Sequence, residues 1–347
     1  MTLRHIIHGL GVHSKTTYEN ILKSVETNGV KEVIFEESSC PIPEYVSNGG
    51  EAELTSYIMK MYSVDISNPN WFRELRDPNL ADVVYFSTLI QNLKGKNVSI
   101  KFSDPFYSKS AIGPKGWEIY KKRASLDLNV AALHKLIMSP QQFQDFGNYI
   151  DSVKRYVRAI ATRDKLADIM RATDLGNIIK ESKYDVIFVE SGNFHTFLFP
   201  LLKKVVERET KFRREHLNRD EIGVIFGKCV NDIYRPDEEL ERLFIWKGIE
   251  AVGNEQANLL AARTYFYYSL VQTDKVQSSS LEGTIEGQLK VTKLVNNLPS
   301  YDICESFFKT FRELTPDEDR FLFLALLMKN KGIIGKNEYE EYEKFLM

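Results

Sequence analysis

The feature that most constrains the fold of this chain is a pattern that occurs twice: an apolar strand, then glycine, then a histidine just before a helix. The first copy spans residues 6–13 and ends at His13, and the second spans residues 186–195 and ends at His195. Units in which a strand leads through a short loop into a helix favour a parallel sheet with helices on its faces.

Further strands and helices follow the same logic. A helix over residues 14–25 leads to the apolar run 33–35, and helical spacing over 80–93 leads to the alternating stretch 98–102. We predict one more strand at Gly223 to Phe226, and we expect the basic run before it, between Lys203 and Arg219, to be a solvated helix face. The predicted fold class is α/β, with a mainly parallel sheet, flanking helices and a helical C-terminal region.

The pattern predicts two domains. An α/β core is expected over residues 1–232, with an insertion at about 41–80, where prolines and glycines break the periodicity. Residues 126–182 are predicted to be helical with a break near Pro140, and a helical region is expected over 233–347. Its last helices, which follow a capping signal at 315–318, are expected to form a hairpin that packs or makes a homo-oligomer. The polar stretch Ser278 to Gly287 predicts a mobile segment.

Composition excludes several classes of protein. Lysine and arginine total 46 against 48 aspartates and glutamates, so net charge gives no indication of nucleic-acid binding. Three cysteines without a close pair indicate neither a disulfide framework nor a thiolate zinc site, which favours a reducing compartment. We expect no signal peptide and no membrane span, and therefore a cytoplasmic protein without a membrane partner.

The two histidines predict the chemistry. Loops from one parallel sheet can meet at its carboxyl edge, where His13 and His195 would lie together. The nearest acids are Glu36 and Glu37 at the end of the second strand, of which side-chain alternation allows only one to face inward, and Glu190 beside the second histidine loop. Two imidazoles and a carboxylate form a divalent-metal site with an open position for water, as in hydrolytic zinc sites.

At this point the sequence resembles the TIKI/TraB superfamily, which includes erythromycin-esterase-like and ChaN-like proteins. The resemblance covers roughly residues 4–230 and rests on segments in a shared order: 9–13, 33–37, 98–104, 162–167 and 192–195. It implies an α/β fold whose paired glycine-x-x-histidine loops, strand-end glutamate and helical Arg-Asp pair surround one cleft. For some members it implies metal-dependent hydrolysis.

Carried over by position, Gly192 and His195 match the second loop motif, and Arg163 and Asp164 match the Arg-Asp pair. Glu36 or Glu37 matches the strand glutamate. The first motif differs in spacing, because Gly9 lies one residue too far from His13 and Gly11 one residue too near. The resulting hypothesis is a hydrolase that acts on a small-molecule or peptide substrate, with His13 and His195 on the metal and Arg163 stabilising developing negative charge.

Two other interpretations use the same segments. Glycine loops before helices offer backbone N–H groups to phosphates, and the predicted ligand loops contain Gly9, Gly11, Ser191, Gly192 and Asn193. CARF-type sensor domains look similar, with a Rossmann-like sheet that binds a cyclic oligonucleotide and a helical effector region. In the third interpretation the histidines are structural and the protein is a non-catalytic binding or assembly unit.

Overall fold

The protein is described by a computed structural model, in which the chain divides into two compact units. The described residues are 4–11, 15–35, 89–103, 109–192, 195, 197–206, 210–226, 234–271, 281–314 and 319–346. Unit 1 comprises Met1–Arg123, Lys165–Asp232 and Ser279–Glu282, and unit 2 comprises Ala124–Asp164, Ile233–Ser278 and Gly283–Met347. The predicted domain boundary at 232 coincides with one division between the units, and residues 124–164 belong to the C-terminal unit.

Unit 1 is built on a five-stranded sheet in which every described pair is parallel, in the order β3-β2-β4-β1-β5. The strands are β1 (His5–Gly11), β2 (Glu32–Phe35), β3 (Ser99–Phe102), β4 (Val186–Gly192) and β5 (Lys211–His216). Apolar runs such as Val33 to Phe35 are buried, as expected for strands covered on both faces. The predicted α/β class is confirmed.

Helices cover both faces of this sheet. In chain order the helices labelled here are α1 (Lys15–Asn28), α2 (Lys109–Ile137), α3 (Phe146–Glu181), α4 (Leu198–Val205) and α5 (Arg219–Phe226), of which α1, α3 and α4 pack on the sheet. On one face Ile21 and Val25 of α1 pack with Phe188 and with helical residues 89–93. On the other face the last turns of α3 and the helix α4 pack on Ile187 and Val189. The sheet is therefore sandwiched between two helical layers, which is the architecture of an open α/β fold.

Three local predictions were wrong, and the third concerns the basic run. Gly9 and Gly11 lie inside β1, and Ser191 and Gly192 lie inside β4, so these residues belong to strands where the sequence predicted loops. The predicted strand at 223–226 is part of α5.

The fifth strand comes from the basic run that was predicted to be a helix face. Residues 211–214 alternate between exposed and partly buried positions and residues 215 and 216 are partly buried, which suits a strand at the end of the described sheet order. This strand could not be recognised in the sequence, because residues 211 and 213–215 are charged and Phe212 is its hydrophobic residue.

Unit 2 is helical in its described part. It contains the N-terminal turns of α3 and the helices α6 (Pro236–Lys247), α7 (Asn254–Val271), α8 (Leu281–Asn296), α9 (Tyr301–Arg312), α10 (Arg320–Asn330) and α11 (Lys336–Leu346). The break near Pro140 and the helical C-terminal region are confirmed, and the aromatic run 265–268 is buried. The predicted mobile stretch is helical from Leu281 onward. None of the described helices is both long and apolar enough to cross a membrane.

Candidate functional site

The connections that leave β1 and β4 run to opposite faces of the sheet. These strands are neighbours in register, with Gly11 paired to Gly192 at their carboxyl ends. The helix that follows β1 packs on one face and the helix that follows β4 packs on the opposite face. In open α/β sheets such a switch point leaves a crevice beyond the strand ends, where ligands bind. The fold therefore places the candidate site at the carboxyl ends of β1 and β4.

His195 lies at this edge and is held by a buried carboxylate. Its Nδ1 is 2.7 Å from Oδ1 of Asp168, whose side chain is buried. The His195 backbone N–H donates to the carbonyl of Gly192 at 3.1 Å, and the Leu198 N–H donates to the carbonyl of His195. With Nδ1–H donating to a carboxylate, Nε2 is the ring nitrogen that keeps its lone pair. The site thus contains one histidine of fixed orientation.

Arg171 is the second side chain of α3 that reaches His195. Its NH1 lies 3.4 Å from Nε2 of His195, the ring nitrogen that can accept a hydrogen bond, and 3.9 Å from Oδ1 of Asp168, three residues earlier on the same helix. Sequence reasoning missed both α3 residues. A usable signal was present, because Asp168 continues the helical stripe of Ala172 and Leu175, which pack on the sheet. A polar residue at the end of an apolar stripe indicates the edge of the core.

A second histidine, His8, is a buried residue of β1. Nε2 of His8 is 2.6 Å from Oγ of Ser191, and both side chains are fully buried. The imidazole of His8 stacks on the ring of Phe199, with centroids 5.7 Å apart. Burial, as the largest cause, lowers the pKa of His8 to about 3 together with the positive charge of Arg214 and the nearby imidazoles of His195 and His216. His8 is therefore neutral at physiological pH.

Gly9 has a packing role at this point of β1. A Cβ atom on Gly9 would lie 2.3 Å from Cζ of Phe188, well inside the distance that real Cβ atoms show. The strand can bring Phe188 this close only because residue 9 has no side chain. The glycine that the sequence pattern assigned to a ligand loop thus permits a core contact.

Arg163 and Asp164 belong to unit 2, where they contact each other. Nε of Arg163 is 2.6 Å from Oδ1 of Asp164, and NH1 of Arg163 is 3.9 Å from Asp127. Burial raises the pKa of Glu241 well above its usual range, and the neighbouring carboxylate of Asp164 raises it further. The Arg-Asp pair therefore forms part of a buried acid network in unit 2.

The remaining predicted site residues, His13, Glu36, Glu37 and Asn193, lie outside the described residues, as does the predicted insertion at 41–80. In sequence the first three follow β1 and β2, the two neighbours of β4 in the sheet. Within the described ranges no group of three or more histidine, cysteine, aspartate or glutamate side chains could hold a metal ion. What the described residues offer to a metal is one histidine with a carboxylate behind it, and the free ring nitrogen of this histidine lies 3.4 Å from the guanidinium of Arg171.

Comparison of this chain with family models, with curated proteins and with solved structures found no match in any of the three.

Proposed function

We propose that this protein is a metal-assisted hydrolase of the TIKI/TraB type, with its site at the carboxyl edge of the sheet in unit 1. The observation that supports the proposal most strongly is the hydrogen bond between Asp168 and His195 at the switch point between β1 and β4. A carboxylate that fixes one ring nitrogen leaves the other to a ligand or a proton, which is how hydrolytic histidines are held.

The proposed metal ligands are His195, His13 and one of Glu36 and Glu37, all of which follow neighbouring strands in sequence. A divalent metal in such a site lowers the pKa of bound water and so supplies the nucleophile of hydrolysis.

The residues of this chain have separable roles in the proposal. Asp168 orients His195 and fixes its tautomer. The sequence assigned the stabilisation of developing negative charge to Arg163. We now assign that role to Arg171, because its guanidinium contacts His195 within unit 1. The bond that is cleaved remains open among peptide, ester and phosphoester.

Elemental analysis of the purified protein tests this proposal. We expect one bound divalent ion per chain, lost in His13→Ala and His195→Ala and retained in the control His5→Ala, whose side chain is exposed at the start of β1. Asp168→Asn should weaken metal affinity by about 10-fold to 100-fold, the usual effect of removing a supporting carboxylate. A wild-type protein that binds no metal after reconstitution with zinc or manganese would contradict the proposal.

A sensor that binds a cyclic oligonucleotide is the second candidate. It is favoured by the cations beside the strand ends, since the guanidinium of Arg214 lies 4.5 Å from the ring centroid of Phe199, next to His8. A thermal-shift screen with cyclic oligoadenylates tests this function, because a ligand that binds only the folded state must raise the midpoint. No shift at saturating concentration would remove the sensor from consideration.

We also propose a cytoplasmic location and self-association through the C-terminal helices, including α11. Light scattering on the full chain, compared with a chain that ends after Asn330, tests the second point. A full chain that is monomeric at high micromolar concentration would contradict it.

A further inference from the structure

A polar side of α1 borders an open cavity next to strand β5. The residues of this side recur at spacings of three and four along the helix, and they are Asn20, Lys23, Ser24, Thr27 and Asn28. Together with residues 213–217 and 219–220 they line a cavity of about 400 Å³ within unit 1. Small-molecule pockets occupy roughly 300 to 1,000 Å³, so a molecule of the size of a metabolite fits this volume.

The described lining of this cavity is polar apart from Leu217. Nδ2 of Asn20 donates to the carbonyl of Leu217 at 2.6 Å, and Nδ2 of Asn28 donates to the carbonyl and the hydroxyl oxygen of Ser24, at 2.8 Å and 3.1 Å. A carbonyl oxygen only accepts, so these bonds fix the orientation of both amides. Their Oδ1 atoms therefore remain acceptors for a ligand, and the buried hydroxyl of Ser24 keeps its own proton to donate.

Lys23 is the cation that α1 contributes to this lining. Its side chain is exposed and forms no ion pair or hydrogen bond with the residues that the structure describes. Arg213 and Glu215 of β5 form an ion pair through one guanidinium nitrogen, which leaves further N–H donors of Arg213 for a ligand. Strand alternation places this pair on the side of the sheet where Leu217 packs with α1.

Other charged groups of the lining restrict how a ligand can be oriented. Its described carboxylates are Glu215 and Asp220. Three basic residues of the lining have further partners of their own, and they are Arg214, His216 and Arg219. Because a carboxylate repels an anion and accepts from a hydroxyl, an anionic group belongs beside Lys23, and hydroxyl groups belong beside the carboxylates and the amide oxygens.

We propose that this cavity binds a small phosphate ester that carries hydroxyl groups, such as a sugar phosphate, with Lys23 and Arg213 on the phosphate and the amide oxygens of Asn20 and Asn28 on the hydroxyls. An ammonium group binds phosphate as a point charge, and a guanidinium offers it paired N–H donors. The fixed acceptors of α1 suit hydroxyls and offer nothing to an apolar ligand. The lining therefore matches a molecule that has both parts.

Isothermal titration of the full chain with ribose phosphate and glycerol phosphate tests the inference, with ribose and inorganic phosphate as the two separate parts of the ligand. We expect at least one ester to bind, and each separate part to bind at least about tenfold more weakly. Lys23→Gln should weaken binding of the ester about tenfold or more, and Lys23→Arg should retain most of the affinity. Asn28→Ala should weaken binding of the ester and leave that of inorganic phosphate unchanged.

The matched control is Lys31→Gln, which removes the charge of another exposed lysine that follows α1 and does not line the cavity. Its affinity for the ester should stay within twofold of the wild type. Circular dichroism checks that each variant is folded.

Absence of binding by both esters at millimolar concentration would overturn the inference. Equal losses in Lys23→Gln and Lys31→Gln would also overturn it, because they would show a general attraction of anions to the protein surface. Inorganic phosphate that binds as tightly as the ester would refute the proposed ligand class. The result does not depend on the proposed hydrolase, since the lining includes neither His195 nor the α3 residues of the candidate site.

Discussion

Substitution of His8 by glutamine should make the stability of the protein less sensitive to acid. His8 is fully buried and hydrogen-bonded to Ser191, and burial together with the positive charge of Arg214 and two nearby imidazoles holds its pKa at about 3 in the folded state. In the unfolded chain a histidine titrates near pH 6.5. Between these two pKa values the unfolded chain binds a proton at this histidine and the folded protein does not. The free energy of unfolding therefore falls as the pH drops from about 6.5 towards 3.

The size of the effect follows from the two pKa values. Each pH unit between about 6.5 and 3 costs roughly 1.4 kcal/mol of stability, so the wild type should lose roughly 3 kcal/mol from this one group between pH 7 and pH 4. Carboxylates add their own acid dependence in both proteins. The difference between the wild type and His8→Gln isolates the histidine, because the glutamine amide can still hydrogen-bond Ser191 but does not titrate.

Urea unfolding of the full chain at pH 7, 6, 5 and 4, followed by circular dichroism, measures this difference. The matched control is His5→Gln, which changes an exposed histidine three residues earlier in the same strand and should leave the pH dependence unchanged. Parallel stability curves for the wild type and His8→Gln would refute the reasoning. So would an imidazole resonance of His8 that titrates near pH 6.5 in the folded protein.

Three further predictions test the packing and the acid network. Gly9→Ala should cost about 1 to 3 kcal/mol in a thermal melt, because its new Cβ would lie 2.3 Å from the ring of Phe188. Glu241→Gln should remove a loss of stability that begins as the pH rises above the ordinary glutamate pKa, measured by urea unfolding. Burial and Asp164 raise the pKa of Glu241, so the unfolded chain gives up this proton at a pH at which the folded protein keeps it. Cys304 should resist thiol alkylation in the native protein, as mass spectrometry can show, because burial raises its pKa to about 12.

Each of these predictions has a control variant or an outcome that would contradict it. Gly95→Ala should be tolerated, because nothing lies within 4 Å of the added methyl, and equal losses at both glycines would contradict the packing argument. Glu255→Gln changes an exposed residue of α7 and should leave the pH profile unaltered. If the Cys304 thiol were alkylated as fast in the native protein as in urea, the prediction would be contradicted, because its helix would then open readily.

The sequence predicted the main features of unit 1 for identifiable reasons. Apolar runs such as Val33 to Phe35 must be buried on both faces, and helical spacing between them requires a parallel sheet with covering helices. Where local signals competed, prediction failed. The strand of residues 211–216 is dominated by charged side chains, and Gly9 and Ser191 belong to strands because β1 and β4 remain paired as far as Gly11 and Gly192.

The residues of the candidate site could be predicted only in part from the sequence. His195 was identified because a histidine after a strand and a glycine marks the carboxyl edge of a sheet. Asp168 and Arg171 were missed, because a charged helix contains several residues of the same types, including Arg163 and Asp164. Their selection depends on which turn of α3 packs beneath the end of β4.

Periodicity and composition by themselves determined the α/β class, the helical C-terminal region and the presence of a histidine at a strand end, since each of these depends on local spacing along the chain. Tertiary structure alone decided that β4 lies between β1 and β2, that His8 is buried against Ser191, and that Asp168 orients His195. These are contacts between residues far apart in sequence, or a choice among similar residues on one helix. They follow from strand order and packing, which no local pattern encodes.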